Sequence, residues 1–199
     1  MSVVPPRRAT AADLAALPED VSAEVVGGLL LPLPLPSFEH GDALATLTEL
    51  LSPFRSRRAG LPGGWWMASA VDVELEATEV YCPDLVGWRW ERVASRPRGS
   101  PIQVRPDWMC EVLSPATARR DRVEKLRALH RCGVPHYWLV DPHERTVHGL
   151  TWGLEGYVIS AVAADRERVR IAPFDAVTLS LSDLFGLHAR EPDSMTSPG

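Results

Sequence analysis

Between residues 106 and 142 the chain reads as two apolar runs with a helix between them, and few folds accept that pattern. Trp108 to Leu113 (WMCEVL) is a short apolar strand interrupted by one acid, Glu111. His136 to Val140 (HYWLV) is almost wholly apolar, the signature of a strand covered on both faces. From about Thr117 to Cys132, Val123, Leu126 and Leu129 form an apolar helical stripe, with Gly133 placed to end the helix. A strand that must be covered on both sides calls for a layered domain, a sheet with helices packed on it.

The rest of the chain supplies the other layers. Ser37 is placed to cap a helix that carries Leu44, Leu47, Leu50, Leu51 and Phe54 and stops in the glycine-rich turn 60–64. Val71, Val73 and Leu75 then alternate with Asp72, Glu74 and Glu76, as in a half-buried strand. Tyr81 to Trp90 reads as a second strand, with Pro83 near its entry, where a missing N–H is tolerated. Residues 91–106 form an arginine-bearing loop. Asp141-Pro142 turns the chain into a strand over Thr146 to Trp152, and residues 153–156 turn it again, before further strands and a short helix near Leu184. The order predicts an α/β fold: a mixed β-sheet flanked by helices, with extra carboxy-terminal strands. It occupies one domain over residues 13–188, with loose polar tails at 1–12 and 189–199.

Composition narrows the setting. With 45% hydrophobic and 24% charged residues the chain is neither disordered nor fibrous. A net charge of −5 argues against attachment to nucleic acid through bulk positive charge, though not against a local basic patch. The apolar stretch 28–36 is too short and too broken by proline to span a bilayer, and MSVVPPRR lacks the apolar segment of a signal peptide. Cys82, Cys110 and Cys132 form no CxxC pair and read as reduced thiols. Together these predict a cytoplasmic protein with no membrane attachment.

The informative acids are those placed where an acid is expensive. Glu111 inside WMCEVL needs a metal, a cation or a raised pKa to be tolerated. Asp84 opens the preceding strand in YCPDLVGW, and adjacent strands could bring the two carboxylates together in a way that suits Mg²⁺ or Mn²⁺. Against twenty arginines, Lys125 is the single lysine, a compact charge of tunable pKa where guanidinium would not serve. It lies four residues after Asp121, on the same helix face. Strand acids with a lysine can cleave a phosphodiester: a metal polarises the phosphate and activates water, and the ammonium offsets the charge that develops. The same residues also allow a structural polar pair at Asp84 and Glu111 and a surface ion pair at Asp121 and Lys125.

At this point the chain resembles a known family. The matching pieces are AEVVGGLLL (23–31), Pro-Ser-x-x-His (36–40), YCPDLVGW (81–88) and PDWMCEVLSPAT (106–117). They continue with D-x-x-x-K (121–125), GVPHYWLVDP (133–142) and PF-x-x-V-x-L-x-L-x-x-LF (173–185). In this order, over roughly residues 14 to 187, they resemble the Uma-type restriction endonucleases, a bacterial family of the PD-(D/E)XK nuclease superfamily. The resemblance implies a restriction-endonuclease-like core and metal ligation by Asp84 and Glu111. Glu24 matches an amino-terminal acid that could complete the metal shell, and His40 the histidine of the first helix. The chain departs from the superfamily in one place: the lysine expected two residues after the second acid is Leu113, and Lys125 looks like its migrated replacement. Asp107, in a second Pro-Asp dipeptide, is set aside.

The expected function is therefore Mg²⁺- or Mn²⁺-dependent endonucleolytic hydrolysis of nucleic acid, DNA first, by Asp84, Glu111 and Lys125, with Asp121 and Glu24 in support and a homodimer as the assembly. Two other readings stay open: a nuclease fold that binds or regulates without catalysis, and a hydrolase of small phosphate esters. No GxSxG elbow, HExxH helix or phosphate-cradling glycine loop is present to suggest other chemistry.

Overall fold

The computed structural model describes residues 7–187. In chain order the elements are α1 (Ala11–Ala15), β1 (Ala23–Val26), β2 (Leu29–Pro32), α2 (Phe38–Leu50), α3 (Ser52–Arg55), β3 (Trp65–Ala68), β4 (Val73–Glu76), β5 (Glu79–Tyr81), β6 (Leu85–Arg89) and β7 (Trp108–Val112). There follow a π-helical segment (Arg120–Lys125), α4 (Leu126–Arg131), β8 (His136–Asp141), β9 (Thr146–Gly153), β10 (Gly156–Ala164), β11 (Arg168–Val169), β12 (Leu179–Ser180) and α5 (Leu181–Leu184). Residues 1–6 and the whole tail expected at 189–199 lie outside the described residues. The segment expected as the other tail, 1–12, makes contacts among the described residues. Ala9 N–H donates to Gly28 O at 2.9 Å, and Thr10 forms a capping box with Asp13 at the start of α1.

A six-stranded sheet ordered β10-β9-β8-β7-β6-β3 forms the middle layer. Within it β7 and β8 are parallel, registered from Trp108 opposite His136 to Val112 opposite Val140, and the helical segment 118–131 makes the crossover they require. The remaining neighbours are antiparallel. Alternation on β7 and β8 sends Trp108, Cys110, Val112, Trp138 and Val140 into one core with α2, α3 and α5. Met109, Tyr137 and Leu139 enter a second core with α4 and a small antiparallel sheet ordered β2-β1-β5-β4. Both strands are covered on both faces, as HYWLV predicts. Glu111 falls on the second face, between Met109 and Leu113.

Two departures from the sequence reading position the site. Tyr81 to Trp90 is not one strand: Glu79–Tyr81 belongs to the small sheet and Leu85–Arg89 to the large one. Cys82, Pro83 and Asp84 cross between the sheets, and Pro83, with no N–H to give a ladder, sits where pairing changes. The expected helix through Phe54 is also interrupted. Helix α2, capped by Ser37 Oγ accepting from His40 N–H at 3.3 Å, ends at Leu50, and Pro53 lies in the separate turn α3. At the front of the small sheet, β1 and β2 form a tight hairpin through Gly27 and Gly28, both at positive φ (59° and 80°), as such turns require.

Candidate active site

Three layers meet at one buried ammonium. Lys125 Nζ donates to Glu24 Oε1 on β1 at 2.7 Å and to Glu111 Oε1 on β7 at 2.9 Å, and lies 3.3 Å from Asp121 Oδ1 one turn back. Glu24, Glu111, Asp121 and Lys125 are all at least 96% buried. The Tyr81 ring lies 5.4 Å from Nζ and closes one side of the cluster. Burial works against the Lys125 charge, but the carboxylates of Glu111, Glu24 and Asp121 outweigh it and hold the ammonium above the ordinary lysine pKa. Burial pushes Glu111 well up; Lys125 opposes that rise, while Asp121, Asp84 and Glu24 add to it.

The cluster forms the base of a cavity of about 340 Å³, whose wall includes Asp84, Glu111, Arg120, Asp121, Lys125 and His40. Asp84 leaves the sheet-to-sheet crossing with both oxygens engaged: Oδ2 accepts from Val112 N–H at 2.7 Å, and Oδ1 lies 3.0 Å from His40 Nε2. That bond to Asp84 raises the His40 pKa, against the effect of burial. The mouth is apolar, with Leu33, Pro34, Leu35 and Pro36 on the chain leaving the hairpin.

The π-helical segment explains why Arg120, Asp121 and Lys125 share one wall. In an α-helix Arg120 and Lys125, five apart, would point in well-separated directions. An i→i+5 ladder stacks them one turn apart, and both line the cavity with Asp121 between them in sequence. Arg120 is largely buried, with Nε 3.7 Å from Glu24 Oε2, yet Nε and Nη2 have no hydrogen-bond partner. Glu24 Oε2, Asp121 Oδ1 and His40 Nδ1 are likewise buried without one. Arg120 lines the cavity, so its unmet N–H donors mark a place for polar atoms from outside the chain.

Of the acids expected in the site, Asp84, Glu111 and Asp121 line the cavity with Lys125. Glu24 lies behind it, tied to Lys125 and to Cys82 N–H at 2.9 Å. Asp107, set aside from sequence, is a structural acid that accepts from Arg89 N–H at 2.8 Å and Arg92 Nε at 2.7 Å. Among the chain's twenty arginines the sequence does not distinguish Arg120, and it does not announce the His40 to Asp84 bond. The first depends on the π-turn and the second on a pairing 44 residues apart.

The donors suit a hard divalent cation. Asp84 and Glu111 present carboxylate oxygens to one cavity, and Glu111 Oε2 has no hydrogen-bond partner among the described residues. No group of three or more His, Cys, Asp or Glu side chains converges in a metal-holding arrangement among the described residues. Two carboxylates would suffice for Mg²⁺, which keeps water or phosphate in its remaining positions.

Comparison with known proteins identifies the fold and the family. A solved structure described as a putative nuclease belonging to DUF820, from Anabaena variabilis ATCC 29413, is similar with a TM-score of 0.71, covering 89% of this chain and 97% of its own at 21% identity. At that identity the likeness is one of fold. No curated protein matches the chain. The family model described as Uma2, putative restriction endonuclease, matches residues 11–182, a span that contains every residue of the cavity wall. The chain therefore belongs to the Uma2 family.

Proposed function

We propose that the protein is a metal-dependent nuclease that hydrolyses phosphodiester bonds of nucleic acid, DNA first, in the Asp84–Glu111 cavity. The observation that carries this reading is the Lys125 ammonium, 2.9 Å from Glu111 inside a cavity that Asp84 also lines. Asp84 and Glu111 would hold Mg²⁺ or Mn²⁺. When bound, the ion would polarise the phosphate and lower the pKa of a water. Lys125 supplies a fixed positive charge for the anion that develops on the phosphate, and its three carboxylate neighbours keep it protonated. Glu24 positions Lys125, and Asp121 braces it from the same helical turn. Arg120 offers its two unmet N–H donors to a phosphate oxygen. His40 holds Asp84 from behind.

Calorimetric titration with Mn²⁺ and Mg²⁺, carried to millimolar metal, tests the reading without a substrate. Binding by the native protein and its loss in Glu111→Ala are expected, followed by metal-dependent cleavage that Lys125→Ala abolishes. Absence of binding in the native protein would end the claim of an active nuclease. One observation favours a second reading, a nuclease fold that binds nucleic acid without cutting it. Lys125 is engaged by three acids at once, so the positive charge that would serve a phosphate is already compensated.

We also propose that the protein forms a homodimer through β10. This edge strand of the large sheet leaves Val158, Ile159 and Val162 more than half exposed.

A further inference from the structure

The edge of the large sheet opposite β10 has a different character. Segments 52–71 and 93–106 contain six arginines and no aspartate or glutamate, in a chain whose net charge is −5. They meet around β3 and the end of β6. Trp66 and Trp90 lie 5.3 Å apart, and the Arg57 guanidinium carbon is 5.0 Å from the centre of each ring. Arg96 reaches the same Trp66 at 5.6 Å. Both arginines are exposed, and neither has a carboxylate partner or a hydrogen bond among the described residues. A guanidinium stacked on rings has lost much of its rotamer freedom, while its N–H edges stay free to face an anion.

Arg55, two residues before Arg57 in sequence, extends this cluster. A smaller depression of about 90 Å³ is lined by Arg55, Ser69, Leu85 and Thr48. The cavity wall holds the chain neighbours Ala70 and Asp84, and Leu44 one turn before Thr48. Arg55 and Arg57 lead in sequence from the cavity's neighbourhood to the stack with Arg96, a path that is positive where the rest of the chain is, on balance, negative.

We propose that this path, from Arg55 to the Arg57–Trp66–Trp90–Arg96 stack, binds the sugar-phosphate backbone of the nucleic-acid strand flanking the cavity. The inference takes its ligand class from the nuclease reading above. Spaced cations along a groove recognise a polyphosphate chain, and partly exposed tryptophans beside them can also meet an unstacked base.

The test is salt-dependent binding of a labelled single-stranded oligonucleotide and of its duplex, by anisotropy, without divalent metal. The triple variant Arg55→Gln/Arg57→Gln/Arg96→Gln is compared with Arg127→Gln/Arg166→Gln/Arg168→Gln, which changes net charge equally at exposed positions elsewhere. On the better-bound probe, the first variant is expected to weaken binding 10- to 100-fold near 100 mM salt. Its log–log salt slope should fall by about 2 to 3, since each phosphate contact contributes roughly 0.7 to 0.9. The control variant should stay within about threefold of wild type, and both variants should unfold at the wild-type temperature. Equal weakening in the two variants, an unchanged slope, or no binding by the wild type would overturn the proposal. Cleavage is scored separately with Mn²⁺. Binding lost in the first variant alongside no cleavage by wild type would remove the nuclease reading and leave this surface. Cleavage by wild type with unaltered binding in the first variant would do the reverse.

Discussion

At the scale of single residues, Lys125 is the hinge on which fold and site both turn. Its importance was legible: it is the only lysine among many arginines, four residues after Asp121. Its depth was not. The bond from Nζ to Glu24 spans 101 residues, and no local pattern announces a contact of that separation. Two fully desolvated hydrogen bonds and a third close acid mean that deleting the ammonium would strand three buried carboxylates. Removing one member of a buried ion pair costs about 3–5 kcal/mol, so Lys125→Ala should lose stability of that order in urea unfolding. Converting Glu24 and Glu111 to glutamine in the same background should recover part of it. A Lys125→Ala protein as stable as the native one would show that the cluster is open to water.

At the scale of elements, the legible pieces are those whose burial imposes a pattern. Strands β7 and β8 are covered on both faces, so their apolar runs announce them, and Gly133 ends the crossover helix at positive φ (69°) as its sequence suggests. The pieces that escaped lack such a signature. Nothing in the residues of 120–125 separates a π-turn from an α-helix, because the hydrogen-bond offset is set by what the turn packs against. The run from Tyr81 to Trp90, broken only by Asp84 and Arg89, is otherwise apolar because each half is largely buried, though in different sheets. Phe174 belongs to no helix or strand, yet its ring lies 4.7–5.5 Å from Phe54, Trp65, Trp108 and Trp138. It locks the carboxy-terminal segment and α3 to the large sheet. Truncating a buried phenylalanine to alanine costs about 3–5 kcal/mol. Phe174→Ala should therefore lower the denaturant midpoint with little change in the metal titration, since the ring packs on the face of the sheet away from Glu111. Loss of metal binding in a folded Phe174→Ala protein would show that the two faces are coupled.

At the scale of the whole molecule, the large sheet presents two unlike edges. One carries the arginine and tryptophan cluster; the other, β10, carries aliphatic side chains in a form that invites another strand. Sedimentation velocity should find a dimer, and Val158→Lys/Ile159→Lys should give a monomer with the native unfolding temperature. The same mass for both proteins would place the interface elsewhere or remove it. The overall α/β architecture was readable because each layer has its own periodicity. The assembly of the site across layers was not, because Glu24, Glu111 and Lys125 come from the small sheet, the large sheet and the crossover helix. That division has a consequence during translation. Glu24 leaves the ribosome 101 residues before the lysine it must grip, so a nascent chain that has not yet reached Lys125 lacks the completed cluster. Whatever the cavity does to a phosphate, the order of synthesis acts as a safety catch, released only when both sheets have docked.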